Sequence, residues 1–279
     1  MTEIVTRETL YNVETKLPTL SIIMVSYNQG SNIEQAILSV INQDYPYLEF
    51  IIIDGGSTDN TREIIDKYSS YIDLVISETD EGMYHARNKG IFLARGEYIG
   101  FLNTDDIFYP NALKDIGLKI LENKNVDMIF GFTIGVNKYG EKMPRVLFGP
   151  NIDTNKAKYF KTMKTIPDQS TFYKRTVFPI IGIYDTSLKF GADTDLKCRI
   201  IKKGLSIIAF EKIIAAWRIY DEALTFRADL KNIRFKEAIK INNRYTQTLI
   251  NYYNVRLLLY TYFVPLIKKI LKYEKQNSL

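Results

Sequence analysis

The sequence predicts an α/β fold: a mainly parallel sheet flanked by helices, followed by a helical extension. Two observations carry that prediction. Short uncharged apolar runs alternate with helical spacings over residues 20–102, as strands buried on both faces and their crossover helices do. About fifty residues at the C-terminal end then switch to helical spacing alone.

Each element follows in order. The segment 1–17 reads as an irregular lead-in. Leu20 to Ser26 is the first strand, and Ile33, Ile37, Val40 and Ile41 mark a helix that ends before Pro46. Phe50 to Ile53 is the second strand, and Thr58 or Asp59 caps the helix carrying Ile64 and Ile65. Leu74 to Ile76, a helix near 83–94 and a strand from Tyr98 to Leu102 complete four parallel strands with right-handed crossovers. After Asp106 the rhythm changes to a helix near 110–122 and two longer strands, Met128 to Val136 and Met143 to Phe148. Gln169 to Tyr173, a helix from Asp193 to Lys203 and a strand near Leu205 to Phe210 follow. Phe235, Ile239, Leu249, Ile250, Tyr253, Leu257, Tyr260, Val264, Ile267 and Leu271 then fit two long helices. The predicted organisation is therefore a lead-in over 1–17, a body over 18–220 with halves at 18–106 and 107–220, and a helical extension over 221–279.

Composition removes several classes. The 279 residues are 46% hydrophobic and 25% charged, which excludes disordered and low-complexity chains. Cys198 is the only cysteine, so a disulfide-built secreted domain is excluded and a reducing, cytoplasmic setting is expected. With His85 the only histidine, a metal held by this chain rests on carboxylates, which suits magnesium or manganese better than zinc. The net charge of +5 suits a polyanionic substrate or an anionic membrane surface and is too small to imply nucleic-acid binding. Residues 1–18 lack the apolar core of a signal peptide, and no uncharged run is long enough to span a bilayer.

In an open parallel sheet, ligands bind beyond the carboxyl ends of the strands. The first predicted strand ends in Ser26-Tyr27-Asn28, the second in Asp54-Gly55-Gly56-Ser57 and the fourth in Asn103-Thr104-Asp105-Asp106. Three consecutive ends thus offer hydrogen-bonding or acidic groups to one crevice. Adjacent carboxylates such as Asp105 and Asp106 repel each other until a divalent cation sits between them and a polyphosphate; an acidic turn capping the next helix is the plainer alternative. Neither GxGxxG nor GxxxxGK[ST] occurs, so a bound diphosphate is expected to rely on metal and basic side chains. Arg87 suits that task, although a solvated helix face explains a lone Arg or Lys as well, and His85 reads as structural. Asp193 begins a helix, where capping is the ordinary fate of Asp, and Asp195 two residues on faces elsewhere.

The stretches SIIMVSYNQG, QDYPYLEFIIIDGGSTDNT, DEGMYHARNKGIFLARGEYIGFLNTDD, DQSTFYKRTVF and FGADTDLKCRI, in this order, resemble family 2 glycosyltransferases of the GT-A fold over roughly residues 18–220. The resemblance implies an inverting, metal-dependent sugar transfer from a nucleotide-diphosphate donor, UDP-linked by default, to a growing glycan or lipid-linked oligosaccharide. It implies that Tyr27 and Asn28 line the nucleoside pocket, that Asp54 binds the base, and that Ser57 and Asp59 shape that loop. Arg87 would approach the diphosphate, Asn103 to Asp106 would form the DxD-type element, with Asp105 the foremost metal ligand and Asp106 beside it, and Asp193 would be the base. Three positions depart from the pattern: Asn103 replaces the first acidic residue, Ala192 replaces the usual Glu, and Asp168 stands where His is frequent. The apolar stretch 256–272, flanked by Arg256 and Lys268–Lys269, either lies in a membrane interface or packs on the body or on a second subunit. A sugar-nucleotide-forming nucleotidyltransferase would carry a glycine-rich basic N-terminal loop, which is absent. A non-catalytic sugar-nucleotide-binding module is the other alternative, and Asp105 and Asp193 argue against it.

Overall fold

The computed structural model describes residues 16–149, 166–220, 223 and 230–245. Its strands form one mixed sheet in the order β3 (Leu74–Ser77), β2 (Leu48–Asp54), β1 (Leu20–Ser26), β4 (Tyr98–Asn103), β8 (Thr171–Lys174), β6 (Met128–Val136), β9 (Ile207–Arg218) and β5 (Ile107–Phe108), with β7 (Lys142–Phe148) paired to β6. The first half is built as the periodicity predicts. β1 (Leu20–Ser26), α1 (Ile33–Ile41), β2 (Leu48–Asp54), α2 (Thr61–Lys67), β3 (Leu74–Ser77), α3 (Met83–Leu93) and β4 (Tyr98–Asn103) alternate, and the four strands pair in parallel. A short β5 (Ile107–Phe108) precedes α4 (Ala112–Glu122).

Continuous apolar runs are required because this sheet is covered on both sides. Along β1 and β2, Ile23, Val25, Ile51 and Ile53 pack with residues of α3, while Ile22, Met24, Phe50 and Ile52 pack with α1 and α4. Burying each such side chain contributes roughly 1.5–3 kcal/mol. Helix α3 lies so close to β1 that a Cβ on Gly90 would stand 2.5 Å from Ile23 Cγ2. Asp59 accepts the Thr61 amide at 3.0 Å and so serves the start of α2, as its position before that helix suggested.

The second half departs further from the sequence reading. β6 (Met128–Val136) pairs antiparallel with β7 (Lys142–Phe148) and β8 (Thr171–Lys174) and parallel with β9 (Ile207–Arg218). β9 runs twelve residues, well beyond the stretch near Leu205 to Phe210, because its far end pairs with β6 and β5 and so continues past the charged pair Glu211-Lys212 that interrupts the apolar run. A short α5 (Phe178–Ile181) was not foreseen, whereas α6 (Ala192–Lys203) was. Of the two C-terminal helices, α7 (Lys231–Tyr245) is described, and the stretch 256–272 lies outside the described residues. Helix α7 buries Glu237, Ala238, Ile241 and Asn242, not the Phe235 and Ile239 stripe. Among the described residues no helix is long and apolar enough to cross a membrane.

Candidate active site

Register brings the predicted strand ends together. Ser26 pairs with Asp54 and Asp54 with Ser77, while Asn103 pairs with Val25 one row earlier. Asp54 is fully buried. One carboxylate oxygen accepts the Ser57 amide at 3.0 Å and the Ser77 hydroxyl at 2.7 Å; the other accepts the Ser57 hydroxyl. Ser57 Oγ in turn accepts the Asn28 amide at 2.8 Å, and Asn28 Oδ1 accepts the Thr58 amide at 2.9 Å. Asn28 takes a left-handed φ of 52°, which Asn tolerates better than most residues. Asp59 completes the clasp by accepting the Gly30 amide at 3.0 Å. Tyr27 is left 61% exposed at this edge, beside Gly55. Ser26 Oγ is buried without a partner among the described residues.

The turn after β4 is held from a distance. Asp106 is almost wholly buried, and its carboxylate accepts the Arg218 amide at 3.0 Å, Gln169 Nε2 at 3.0 Å and Asn103 Nδ2 at 3.2 Å. Asp105 accepts the Tyr220 hydroxyl at 3.2 Å, and its carbonyl accepts Arg218 Nε at 3.0 Å. Thr104 between them is buried. Burial pushes both carboxyls up from the ordinary Asp value, and the charge of Asp105 pushes Asp106 further. This is the repulsion that a cation relieves. Among the described residues no three His, Cys, Asp or Glu side chains gather as a self-sufficient metal cage. The oxygen donors present suit a magnesium or manganese ion that arrives with a diphosphate and takes one carboxylate from the protein. Asp105 fits that role; Asp106 has both oxygens engaged by protein donors.

Arg87 is not free at the crevice. It is 2% exposed, its Nη1 donates to Asp168 at 2.6 Å and its Nη2 to Asn103 Oδ1 at 2.8 Å. Phe101, Tyr184 and Tyr84 present rings to the guanidinium at 5.0, 5.5 and 5.8 Å. Its Nε is buried with no partner among the described residues. Asp168 also accepts from Lys197 Nζ at 3.0 Å, and Lys197 donates onward to Asp193 at 3.4 Å. Burial opposes the charge on Asp168, but Arg87 and then Lys197 outweigh it and hold the carboxyl well below its ordinary value. Burial likewise opposes the Lys197 ammonium, and Asp168 followed by Asp193 raises it. Tyr84 donates to the Phe190 carbonyl at 2.9 Å and lies 3.3 Å from the other Asp193 oxygen; with one proton it serves one acceptor at a time.

These contacts join Asp105 to Asp193 through one polar chain: Arg218, Asp106, Asn103, Arg87, Asp168 and Lys197 stand between them. Asn103 is the link an aspartate would not make as well, since its amide accepts from Arg87 and donates to Asp106. Asp193 is the second residue of α6 and makes no cap bond, so it stays 20% exposed, while Asp195 turns inward to Arg199, Arg244 and Tyr245. His85 pairs with Asp80 at 3.2 Å, and Lys89 pairs with Asp80 and Glu78. Sequence reasoning missed Lys197, although its spacing of four from Asp193 on a helix was a usable signal. Nothing local announced Arg218 or Tyr220.

The family model for glycosyl transferase family 2 matches residues 21–179, more than half of the chain. A PGL/p-HBAD biosynthesis glycosyltransferase of Mycobacterium bovis is 27% identical over 203 residues, covering 71% of this chain and 76% of the relative. Among solved structures, S. aureus TarS 1–349 in complex with UDP-GlcNAc aligns with a TM-score of 0.63 at 20% identity, covering 87% of this chain and 71% of that one. The mannosyltransferase PcManGT of Pyrobaculum calidifontis, in complex with GDP-Man and Mn2+, aligns with a TM-score of 0.63 at 18% identity, covering 89% of this chain and 70% of that one. The fold is thus that of the GT-A glycosyltransferases, and the chain belongs to glycosyl transferase family 2.

Proposed function

We propose that this glycosyltransferase moves a sugar, with inversion, from a nucleoside-diphosphate donor to a hydroxyl of a growing surface glycan or lipid-linked oligosaccharide. The observation that carries the reading is the polar chain that runs from the Asp106 carboxylate at the strand ends, next to Asp105, through Asn103, Arg87, Asp168 and Lys197 to a second, partly exposed carboxylate, Asp193, at the start of α6. Inverting transfer needs those two kinds of site: one that steadies a departing diphosphate and one that takes a proton from the acceptor.

Tyr27, Asn28, Asp54 and Ser57 form the nucleoside end, with the exposed Tyr27 ring as a stacking surface. Asn103, Thr104 and Asp105 form the diphosphate and ribose end, and Arg87 acts there through Asn103. A divalent cation, held by Asp105 with Asp106 framing the turn, would supply Lewis-acid neutralisation of the leaving diphosphate. Asp193 accepts the acceptor hydroxyl proton, and Lys197 holds its carboxylate in place. UDP is the donor base we favour, by analogy with the ligand bound to TarS, while the GDP-Man complex of PcManGT shows that the fold alone does not fix the base. The mycobacterial relative's role in biosynthesis supports a glycan acceptor.

The test is nucleotide release from UDP-glucose, UDP-N-acetylglucosamine and GDP-mannose, each with and without Mn2+, for wild type and Asp193→Asn. Loss of the general base lowers transfer by about 10²–10⁴-fold with donor affinity retained. Equal transfer by both proteins overturns the assignment of Asp193. The apolar, basic stretch 256–272 is proposed to bring the enzyme to an anionic membrane surface. Deleting residues 256–279 then lowers cosedimentation with phosphatidylglycerol vesicles, and unchanged sedimentation excludes that contact.

A further inference from the structure

The glycosyl transferase family 2 match ends at residue 179, and α7, beyond it, grips the turn that carries Asp193. Glu237 of α7 is buried, and its carboxylate accepts three successive backbone amides: Lys189 at 2.7 Å, Phe190 at 2.9 Å and Gly191 at 3.1 Å. These amides lead into α6, whose N-cap, Gly191, has no side chain to satisfy them. A carboxylate from another element does so instead, in bonds strengthened by its charge.

Two further contacts bracket the same turn. A Cβ on Gly191 would stand 2.4 Å from Ile241 Cδ1, so α7 packs directly on its backbone. Asp195 accepts Arg244 Nη1 and the Tyr245 hydroxyl, each at 2.9 Å. Asp193 lies between these two grips. On its other side the Phe190 carbonyl accepts from Tyr84, the same hydroxyl that lies 3.3 Å from Asp193. The 189–191 backbone is therefore held through its N–H groups by α7 and through a carbonyl by α3.

We propose that Glu237 is a positioning residue for glycosyl transfer: it fixes the turn at residues 189–191 so that the Asp193 carboxylate meets the acceptor hydroxyl. The proposal rests on the reading of Asp193 as the base. Glu237 touches no reacting atom. Its loss leaves the nucleoside end of the crevice, built by β1, β2 and their loops, as it was. Misplacing a reacting group by about 1 Å costs on the order of 10²-fold in rate.

The experiment compares full-length wild type, Glu237→Ala, Glu237→Gln and Asp193→Asn with whichever of UDP-glucose, UDP-N-acetylglucosamine or GDP-mannose the wild type consumes with Mn2+. Amide hydrogen exchange is followed in parallel. The expected result for Glu237→Ala is faster exchange at residues 189–193 with no change in β1 and β2. Its kcat falls about 10- to 100-fold while the donor KM stays within about twofold. Glu237→Gln lies between, because one amide oxygen replaces two carboxylate oxygens and an NH2 group opposes the remaining amides. Should Glu237→Ala not fold, Glu237→Gln carries the same comparison. Unchanged kcat in a folded Glu237 variant overturns the proposal, as does a fall in kcat matched by an equal loss of donor affinity and of exchange protection throughout the sheet. An Asp193→Asn protein as active as wild type removes the base assignment and this proposal with it. An inactive Asp193→Asn beside a fully active Glu237→Ala removes the Glu237 proposal alone.

Discussion

The two sides of the crevice solve the same problem, holding polar groups still, by different physics. At the nucleoside end, Asp54 is served by hydroxyls and an amide from Ser57 and Ser77, all within one β-α-β stretch. Toward the acceptor end, Arg87, Asp168, Lys197 and Asp193 form alternating charges contributed by α3, the loop before β8 and α6. Single hydrogen bonds from neutral donors to a carboxylate that keeps its other donors are lost one at a time at about 1.5–3 kcal/mol each. A buried ion pair is different, because removing one partner strands the other charge in a poorly solvating interior. The acceptor end is thus the brittle side of the molecule, and the nucleoside end the tolerant one.

The largest test of that contrast is Arg87→Met. It leaves Asp168 with Lys197 as its only close cation among the described residues and is expected to lower unfolding free energy by about 3–5 kcal/mol in urea denaturation. A loss under about 1 kcal/mol breaks the comparison, since it makes the charged chain no more costly than a neutral bond. Asn103→Asp sharpens it at the junction of the two sides. The change sets a carboxylate against Asp106 where an amide now donates at 3.2 Å, so a loss of about 1–3 kcal/mol is expected. A gain in stability would show that the pull of Arg87 outweighs that repulsion. The smallest effect is reserved for Ser57→Ala. Asp54 keeps the Ser57 amide and the Ser77 hydroxyl while the exposed Asn28 amide turns to water, so the expected cost is about 1.5 kcal/mol by the same denaturation. A cost equal to that of Arg87→Met would erase the distinction.

The contrast also explains what was legible. The strands and helices from Leu20 to Asn103 follow local rules: apolar runs, turn residues and helix spacing within about thirty residues of each other. The Asp54 loop was recognisable for the same reason. The turn at Asp105 and Asp106 was visible as chemistry but not as architecture, because its anchors, Arg218 and Tyr220, are more than a hundred residues away. Arg87 shows the same gap. As a basic residue near a diphosphate site it invites a direct contact, and the fold instead buries it against Asp168, 81 residues on. The stripe expected on α7 failed because a polar partner, the exposed amides at 189–191, drew Glu237 inward.

By itself the sequence determined which segments from Leu20 to Asn103 become strands and helices, that their carboxyl ends carry amide and acidic groups, and that Asp193 and Asp195 point in different directions. Those outcomes depend on backbone geometry and the period of side chains along a single element, which neighbours in sequence settle. Tertiary structure alone decided which charges neutralise one another, which aspartate of the Asp105–Asp106 pair is enclosed, and that a C-terminal helix holds the turn before Asp193. Desolvation makes each of those a matter of what lies across a few ångströms of space, and the chain brings those partners from distant places.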